Sequence, residues 1–355
     1  MSLIRVLVAD DSALMRQTLK RIISAEPGME LVGAARDGED AVAKARELRP
    51  DVMTMDINMP KLDGITALQI ILEEKICPVV MVSSLTQRGT ATTFECLELG
   101  AFDFVAKPDG TVSADMGSVT AELIAKLRAA VSSKMLERVR KRGFVARERV
   151  AAPPQRRQMT DPVAVAIGIS TGGPATLTEV LPLLPSDLPA SLFLVQHMPA
   201  SFMSSFAKRL DSNCVLKVTE GSAGMQVEPG VCYVAPGGLH LCPHRKMTGS
   251  IVLRTPAQPR TLFIPSVNVM MKAVLAAYGQ NTIGVLMTGI GDDGADQMVA
   301  IRQAGGSTIA ESEETAVVYG MPREAFERGG ADVVVPHYEV AQQIVRAVER
   351  IGDRR

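Results

Sequence analysis

The chain has 355 residues, 46% of them hydrophobic and 22% charged, with a formal net charge of −1. That length allows two domains with their own cores, and the balance excludes wholesale disorder and any strong field toward nucleic acid or an anionic membrane. No apolar run is long enough to insert into a bilayer, and the five scattered cysteines lack a CxxC pair, which fits a reducing compartment better than a disulfide framework.

Apolar runs at 4–9, 31–35, 52–55, 79–82 and 102–106 alternate with amphipathic stretches such as the one carrying Leu14, Leu19, Ile22 and Ile23. Five βα units of this kind predict a doubly wound parallel sheet with helices on both faces. The first run soon meets Asp10 and Asp11, unlike a signal peptide, so a cytoplasmic protein is expected.

In such a sheet the strand ends open on one edge, where ligands bind. Asp10 and Asp11 end the first strand, Asp56 the third, Ser83 the fourth and Lys107 the fifth. Carboxylates gathered there repel one another unless a hard cation lies between them, and Mg²⁺ suits oxygen ligands. A carboxylate in line with that ion can be phosphorylated, with Lys107 countering the new charge and Ser83 donating a hydrogen bond. Helix capping is the plainer explanation of such carboxylates, but it does not require Lys107 and Asp56 together.

The ordered set Asp10-Asp11, Asp56 before Met59-Pro60, Asp63-Gly64, Ser83 and Lys107-Pro108 resembles a response-regulator receiver domain. The resemblance implies Asp56 as phosphoacceptor and Asp10, Asp11 and Asp56 as Mg²⁺ ligands. It makes Ser83 and Phe104 the switch pair, with Lys107 beside them.

A helix expected around 118–136 runs into Arg138-Val139-Arg140-Lys141-Arg142. The chain then becomes rich in Arg, Gln, Ala and Pro without apolar period, so 138–160 reads as an exposed linker. The expected domains are thus 1–122 and 161–355. In the second, strands are expected at 163–169, 191–195, 231–234, 251–253, 283–287, 307–310 and 332–335. Several are continuous Val/Ile/Leu/Ala runs, as buried parallel strands are. Stretches 232–244 and 250–255, with turn residues between them, suggest a small antiparallel hairpin. The fold class expected is α/β throughout: a doubly wound (βα)5 receiver, then a doubly wound, mostly parallel sheet with that hairpin.

Three strand-end turns carry the chemistry of the second half. Gly168-Ile169-Ser170-Thr171-Gly172-Gly173-Pro174 holds a serine out of the backbone plane with helix N–H groups aimed nearby. Gln196-His197-Met198-Pro199 offers one of only four histidines as a general base. Thr288-Gly289-Ile290-Gly291-Asp292-Asp293-Gly294 offers a carboxylate to orient that base. Together they read as a Ser-His-Asp hydrolase, in an order foreign to α/β-hydrolases.

Rival readings exist. Ser170 alone could be a helix N-cap. Gly289-x-Gly291-x-x-Gly294 with Glu311 has dinucleotide-binding spacing, but Asp292 and Asp293 would set negative charge beside a pyrophosphate. His240, Cys242 and His244 alternate and could share a face toward Zn²⁺, although Pro243 interrupts them and no fourth ligand is near in sequence. His337 reads as a helix-start residue.

Receiver, basic linker, Ser-Thr-Gly-Gly-Pro, Gln-His-Met-Pro, the Ala235-Pro236-Gly237 turn and Thr-Gly-x-Gly-x-Asp-Gly-Ala, in that order, resemble the chemotaxis-type protein-glutamate methylesterases (CheB) across nearly the whole chain. The resemblance implies hydrolysis of γ-methyl glutamyl esters on chemoreceptors and deamidation of receptor glutamines. Ser170 is then the nucleophile, His197 the base and Asp293 the acid, with Thr171 and Ile290 near the oxyanion or substrate. Two positions depart from the family pattern: Ile169 where Ala is usual, and Ile290 where Met is usual. The esterase would need no cofactor and the receiver would need Mg²⁺. Expected partners are methyl-accepting chemoreceptors as substrate and a CheA-type histidine kinase as phosphodonor. Nucleic-acid binding is not expected, for want of a helix-turn-helix or basic recognition helix, and a monomer is expected.

Overall fold

The computed structural model describes residues 3–83, 87–107, 116–133 and 162–353. The expected linker 138–160 and Pro108 lie outside the described residues. The chain divides into two compact units, residues 1–146 and 147–355.

In the first unit β1 (Ile4–Ala9), β2 (Met29–Ala35), β3 (Val52–Asp56), β4 (Val79–Ser83) and β5 (Asp103–Ala106) form a sheet in the order β2-β1-β3-β4-β5. Every pairing in it is parallel, which requires a crossover connection between successive strands. The central strands are buried on both faces, which is why they read as unbroken apolar runs. Helix α1 (Ala13–Ala25) starts where Ser12 accepts the Met15 N–H, and α2 (Gly38–Leu48) where Asp37 accepts that of Asp40. Helix α3 (Gly64–Glu73) starts at Asp63, which accepts the Thr66 N–H. A Cβ on Gly64 would lie 2.0 Å from Asp56 O, so only glycine lets α3 begin against the end of β3. Helices α4 (Gln87–Leu99) and α5 (Met116–Ser132) complete the unit.

The second unit is built on seven parallel strands: β6 (Val163–Ile169), β7 (Ala190–Gln196), β8 (Lys217–Glu220), β9 (Val231–Val234), β12 (Thr282–Leu286), β13 (Ser307–Glu311) and β14 (Val333–Val335). Their order is β14-β13-β12-β6-β7-β9-β8. The chain starts at β6, builds outward through β7, then crosses back to β12 on the other side, so β6 and β12 flank a topological switch point. The expected antiparallel hairpin is present, formed by β10 (Cys242–Arg245) at the end of the first stretch and β11 (Ile251–Arg254) in the second. The run at 231–234 belongs to the main sheet instead, because all four of its residues are buried. β8 was not expected: it is a short edge strand with one buried residue, so it lacks an apolar run.

Helices α6 (Gly173–Val180), α7 (Ala200–Asn213), α8 (Val267–Tyr278), α9 (Ala295–Gln303), α10 (Met321–Glu327) and α11 (His337–Asp353) cover the sheet, and α11 does begin at His337. Helix α8 turns Val267, Met270, Met271 and Val274 into a core shared with Ala164, Ala166, Phe193 and Leu286. Truncating one such side chain to alanine typically costs about 2–5 kcal/mol. No helix among the described residues is long and apolar enough to cross a membrane.

Candidate active site

The three turns of the second unit meet at the carboxyl ends of β7, β6 and β12. Ser170 follows β6 and sits between its neighbours: its N–H donates to Thr288 O at 2.9 Å, while the His197 N–H donates to Ile169 O at 3.1 Å. A Cβ on Gly289 would fall 2.7 Å from Ser170 Cβ, so this glycine lets the β12 turn close on the serine. Ser170 O receives the Gly173 N–H at 2.8 Å and Gln196 Nε2 at 2.9 Å. Gln196 Nε2 also donates to His197 O at 2.9 Å, tying the serine turn to the histidine turn. Thr288 Oγ1 donates to Thr171 O at 2.8 Å. With Gly172 at φ 78°, this leaves Thr171 and Gly172 with N–H groups that no hydrogen bond among the described residues uses. Two such donors beside a nucleophile suit a developing oxyanion. Ile290 lies partly buried in the β12 turn.

His197 Nε2 is 2.9 Å from Asp293 Oδ2. Asp293 is held from its other side by the start of α8: Val267 N–H donates to Oδ2 at 2.7 Å, and Asn268 N–H and Ser266 Oγ–H donate to Oδ1, each at 2.9 Å. Burial alone would raise its pKa; the His197 contact and the two backbone N–H groups outweigh that and hold the carboxyl below the usual carboxylate range. An ionised carboxylate only accepts, so Nε2 carries the hydrogen and Nδ1 the lone pair. That Nδ1 is buried and has no hydrogen-bond partner among the described residues. Phe263 lies flat on the imidazole, with ring centroids 4.1 Å apart and planes at 12°. Asp292, by contrast, is exposed and ion-paired to Arg328 at 2.7 Å.

The rival readings lose their residues to other work. Glu311 is fully buried, with Oε2 accepting the Thr288 N–H and Oε1 the Thr315 hydroxyl, so it faces no ribose pocket. Both ring nitrogens of His240 are bonded to backbone groups, which removes it as a zinc ligand.

In the first unit Asp10, Asp11 and Asp56 bring carboxylate oxygens within 4.8 Å of one another, the only such group of potential metal ligands among the described residues. Lys107 Nζ reaches Asp56 Oδ2 at 2.8 Å and Asp10 Oδ2 at 3.0 Å. Burial, and after it the charge of Asp10, nevertheless raise the Asp56 pKa against the pull of Lys107. One ammonium therefore undercompensates the cluster, and an oxygen-seeking divalent cation fits it. Ser83 is buried, its hydroxyl 2.7 Å from that of Thr93. Phe104 is buried too, its carbonyl accepting Lys126 Nζ at 2.6 Å and its ring 5.3 Å from the same atom.

Gln196, Ser266, Phe263, Thr288, Thr93 and Lys126 were not singled out in the sequence. Ser266 had a local signal, a serine just before an apolar helical period. The others act through neighbours distant in sequence, which no local pattern encodes.

A family model described as CheB methylesterase matches residues 165–344, and one described as response regulator receiver domain matches residues 6–112. The chain is 58% identical over 357 residues to the protein-glutamate methylesterase/protein-glutamine glutaminase 3 of Syntrophomonas wolfei, covering 98% of this chain and 100% of that protein. It is 44% identical over 350 residues to the protein-glutamate methylesterase/protein-glutamine glutaminase of Archaeoglobus fulgidus, covering 97% and 98%. Among solved structures, the Thermotoga maritima CheB methylesterase catalytic domain matches with TM-score 0.51 and 37% identity, over 52% of this chain and 98% of that one.

Proposed function

This chain belongs to the CheB methylesterase family, and from that premise we propose that Ser170, His197 and Asp293 hydrolyse γ-methyl glutamyl esters of chemoreceptors and deamidate receptor glutamines, under control of the receiver. By family the protein is a methylesterase and glutaminase. The observation that carries the assignment is His197 itself: one nitrogen is committed to Asp293 and the other is buried without a partner beside the serine turn.

His197 Nδ1 takes the proton of Ser170 Oγ as that oxygen attacks the γ-carbonyl carbon. Asp293 stabilises the imidazolium and stays ionised. The Thr171 and Gly172 N–H groups receive the oxyanion. The tetrahedral intermediate collapses, and the C–O bond to the methoxy group breaks as His197 returns the proton, releasing methanol. A water, deprotonated by the same nitrogen, then attacks the acyl-enzyme and frees a glutamate side chain and Ser170. With a glutamine substrate the same sequence releases ammonia.

In the receiver, Asp56 accepts a phosphoryl group from the phosphohistidine of a CheA-type kinase. Mg²⁺ held by Asp10, Asp11 and Asp56 supplies charge neutralisation when bound. Lys107, already on Asp56, meets the new phosphoryl charge, while Ser83 leaves Thr93 to donate to it. Phe104, gripped by Lys126, follows. The setting proposed is the cytoplasm. Methanol release from methylated receptor membranes tests the hydrolase: the wild type should release it, and Ser170→Ala should lose on the order of 10⁴–10⁶ in rate. Near-normal release by a folded Ser170→Ala protein would overturn the assignment.

A further inference from the structure

His240 is completely buried beyond the end of β9, and nothing in the mechanism above uses it. Its backbone N–H donates to Pro256 O at 2.9 Å. Its Nε2 is 2.8 Å from Pro259 O, an atom that can only accept, so Nε2 carries the hydrogen. Its Nδ1 accepts the Ser266 N–H at 3.2 Å. Both contacts thus demand the same neutral tautomer. One buried residue thus fastens the 256–266 segment at three points, its backbone at Pro256 and its imidazole at Pro259 and Ser266.

What that segment carries is the surround of the catalytic base. Phe263 lies on the His197 ring, and Ser266 is both the N-cap of α8 and a donor to Asp293. The next two N–H groups, from Val267 and Asn268, grip the same carboxylate. Between the two ring contacts the segment faces solvent, with Leu262 91% exposed. Among the described residues, the His240 ring is the buried group hydrogen-bonded to both Pro259 and Ser266. We propose that His240 is a positioning residue of the triad: it holds, through Ser266 and residues 256–265, the grip on Asp293 and the ring that covers His197.

The proposal rests on the hydrolase reading, and the test separates the two. Full-length wild type, His240→Ala, His240→Asn and His240→Gln are compared by kcat and KM for methanol release from methylated receptor membranes. In parallel, the rate at which a small alkyl fluorophosphonate modifies Ser170 is measured, because that probe needs the triad and no receptor. His240→Ala should lose on the order of 10–100-fold in kcat, the scale of a small misplacement of reacting groups. KM should stay within about twofold and Ser170 modification should slow in parallel. His240→Asn should recover much of this, since its amide oxygen takes the place of Nδ1 toward Ser266. His240→Gln, whose amide reaches toward Pro259 instead, should recover less. Normal fluorophosphonate reactivity in folded His240→Ala, or a change confined to KM, would overturn the proposal. If His240→Ala does not fold, equal activity of the Asn and Gln variants would overturn it. Failure of the wild type itself to be modified at Ser170 would instead sink the hydrolase reading.

Discussion

Asp292 and Asp293 are adjacent and chemically identical, and their surroundings separate them. Asp292 is 60% exposed at its side chain and answers Arg328, an arrangement worth little in water. Asp293 is buried and takes four hydrogen bonds, including the one to His197. Asp292→Asn should therefore leave methanol release within a few fold of wild type. Asp293→Asn, which can place the wrong hydrogen toward the imidazole, should cost on the order of 10⁴ in kcat; the reverse ranking would reassign the acid. The same residue has a signature in stability. Its folded pKa lies below its unfolded one, so its contribution is fully present above about pH 4 and is lost as pH falls through the folded value. Asp293→Asn has no such proton to take up. Urea unfolding of the catalytic unit below about pH 4 should then decline less steeply in the variant than in wild type. The sequence made the strand-end positions of Ser170 and His197 legible, because long apolar runs stop just before them. Between the two aspartates it offered only motif register. The work of His240, Gln196 and Thr288 was invisible, since each joins turns far apart in the chain.

At the scale of elements, the catalytic site depends on how closely a helix start can approach the neighbouring turn. Gly173 opens α6, and a Cβ there would lie 2.0 Å from Gln196 Oε1. Gln196 cannot retreat without dropping Ser170 O and His197 O. Gly173→Ala should thus destabilise the catalytic unit by about 1–3 kcal/mol, the usual range for overpacking, and lower methanol release as well. Thermal unfolding and initial rates on the purified variant check both, and a stable, fully active protein would show that the turn can yield. The parallel strands were readable because burial on both faces leaves continuous Val/Ile/Leu/Ala runs. The edge strand Lys217–Glu220 was not, because its burial is too slight to leave a pattern. The hairpin was placed correctly, but its first stretch took in the 231–234 run, which looks the same whether its neighbour is parallel or antiparallel.

For the whole molecule, the proposed function makes phosphorylation of the receiver a control on the hydrolase. If, as proposed, the substrate is a side chain on a large receptor, partial cover of the catalytic mouth by the receiver would suffice as a brake. On that hypothesis a fragment from residue 161 onward should outpace the unphosphorylated full chain by about 10–100-fold. A phosphodonor with Mg²⁺ should raise full-length activity, chelation of Mg²⁺ should abolish the rise, and Asp56→Ala should keep only basal activity. A fragment no faster than the full chain would mean that the receiver recruits substrate instead. The order of the seven-stranded sheet adds a kinetic consequence. His197 and Asp293 are 96 residues apart in sequence yet share one hydrogen bond across the switch point. Closing a loop of that length costs about 4 kcal/mol in chain entropy beyond a constant, before any contact repays it. After dilution from denaturant, helical signal should therefore return before the capacity of Ser170 to be acylated. Esterase activity is in effect a reporter that both flanks of the sheet have joined, and a chain caught with only one flank built would be structured and inert.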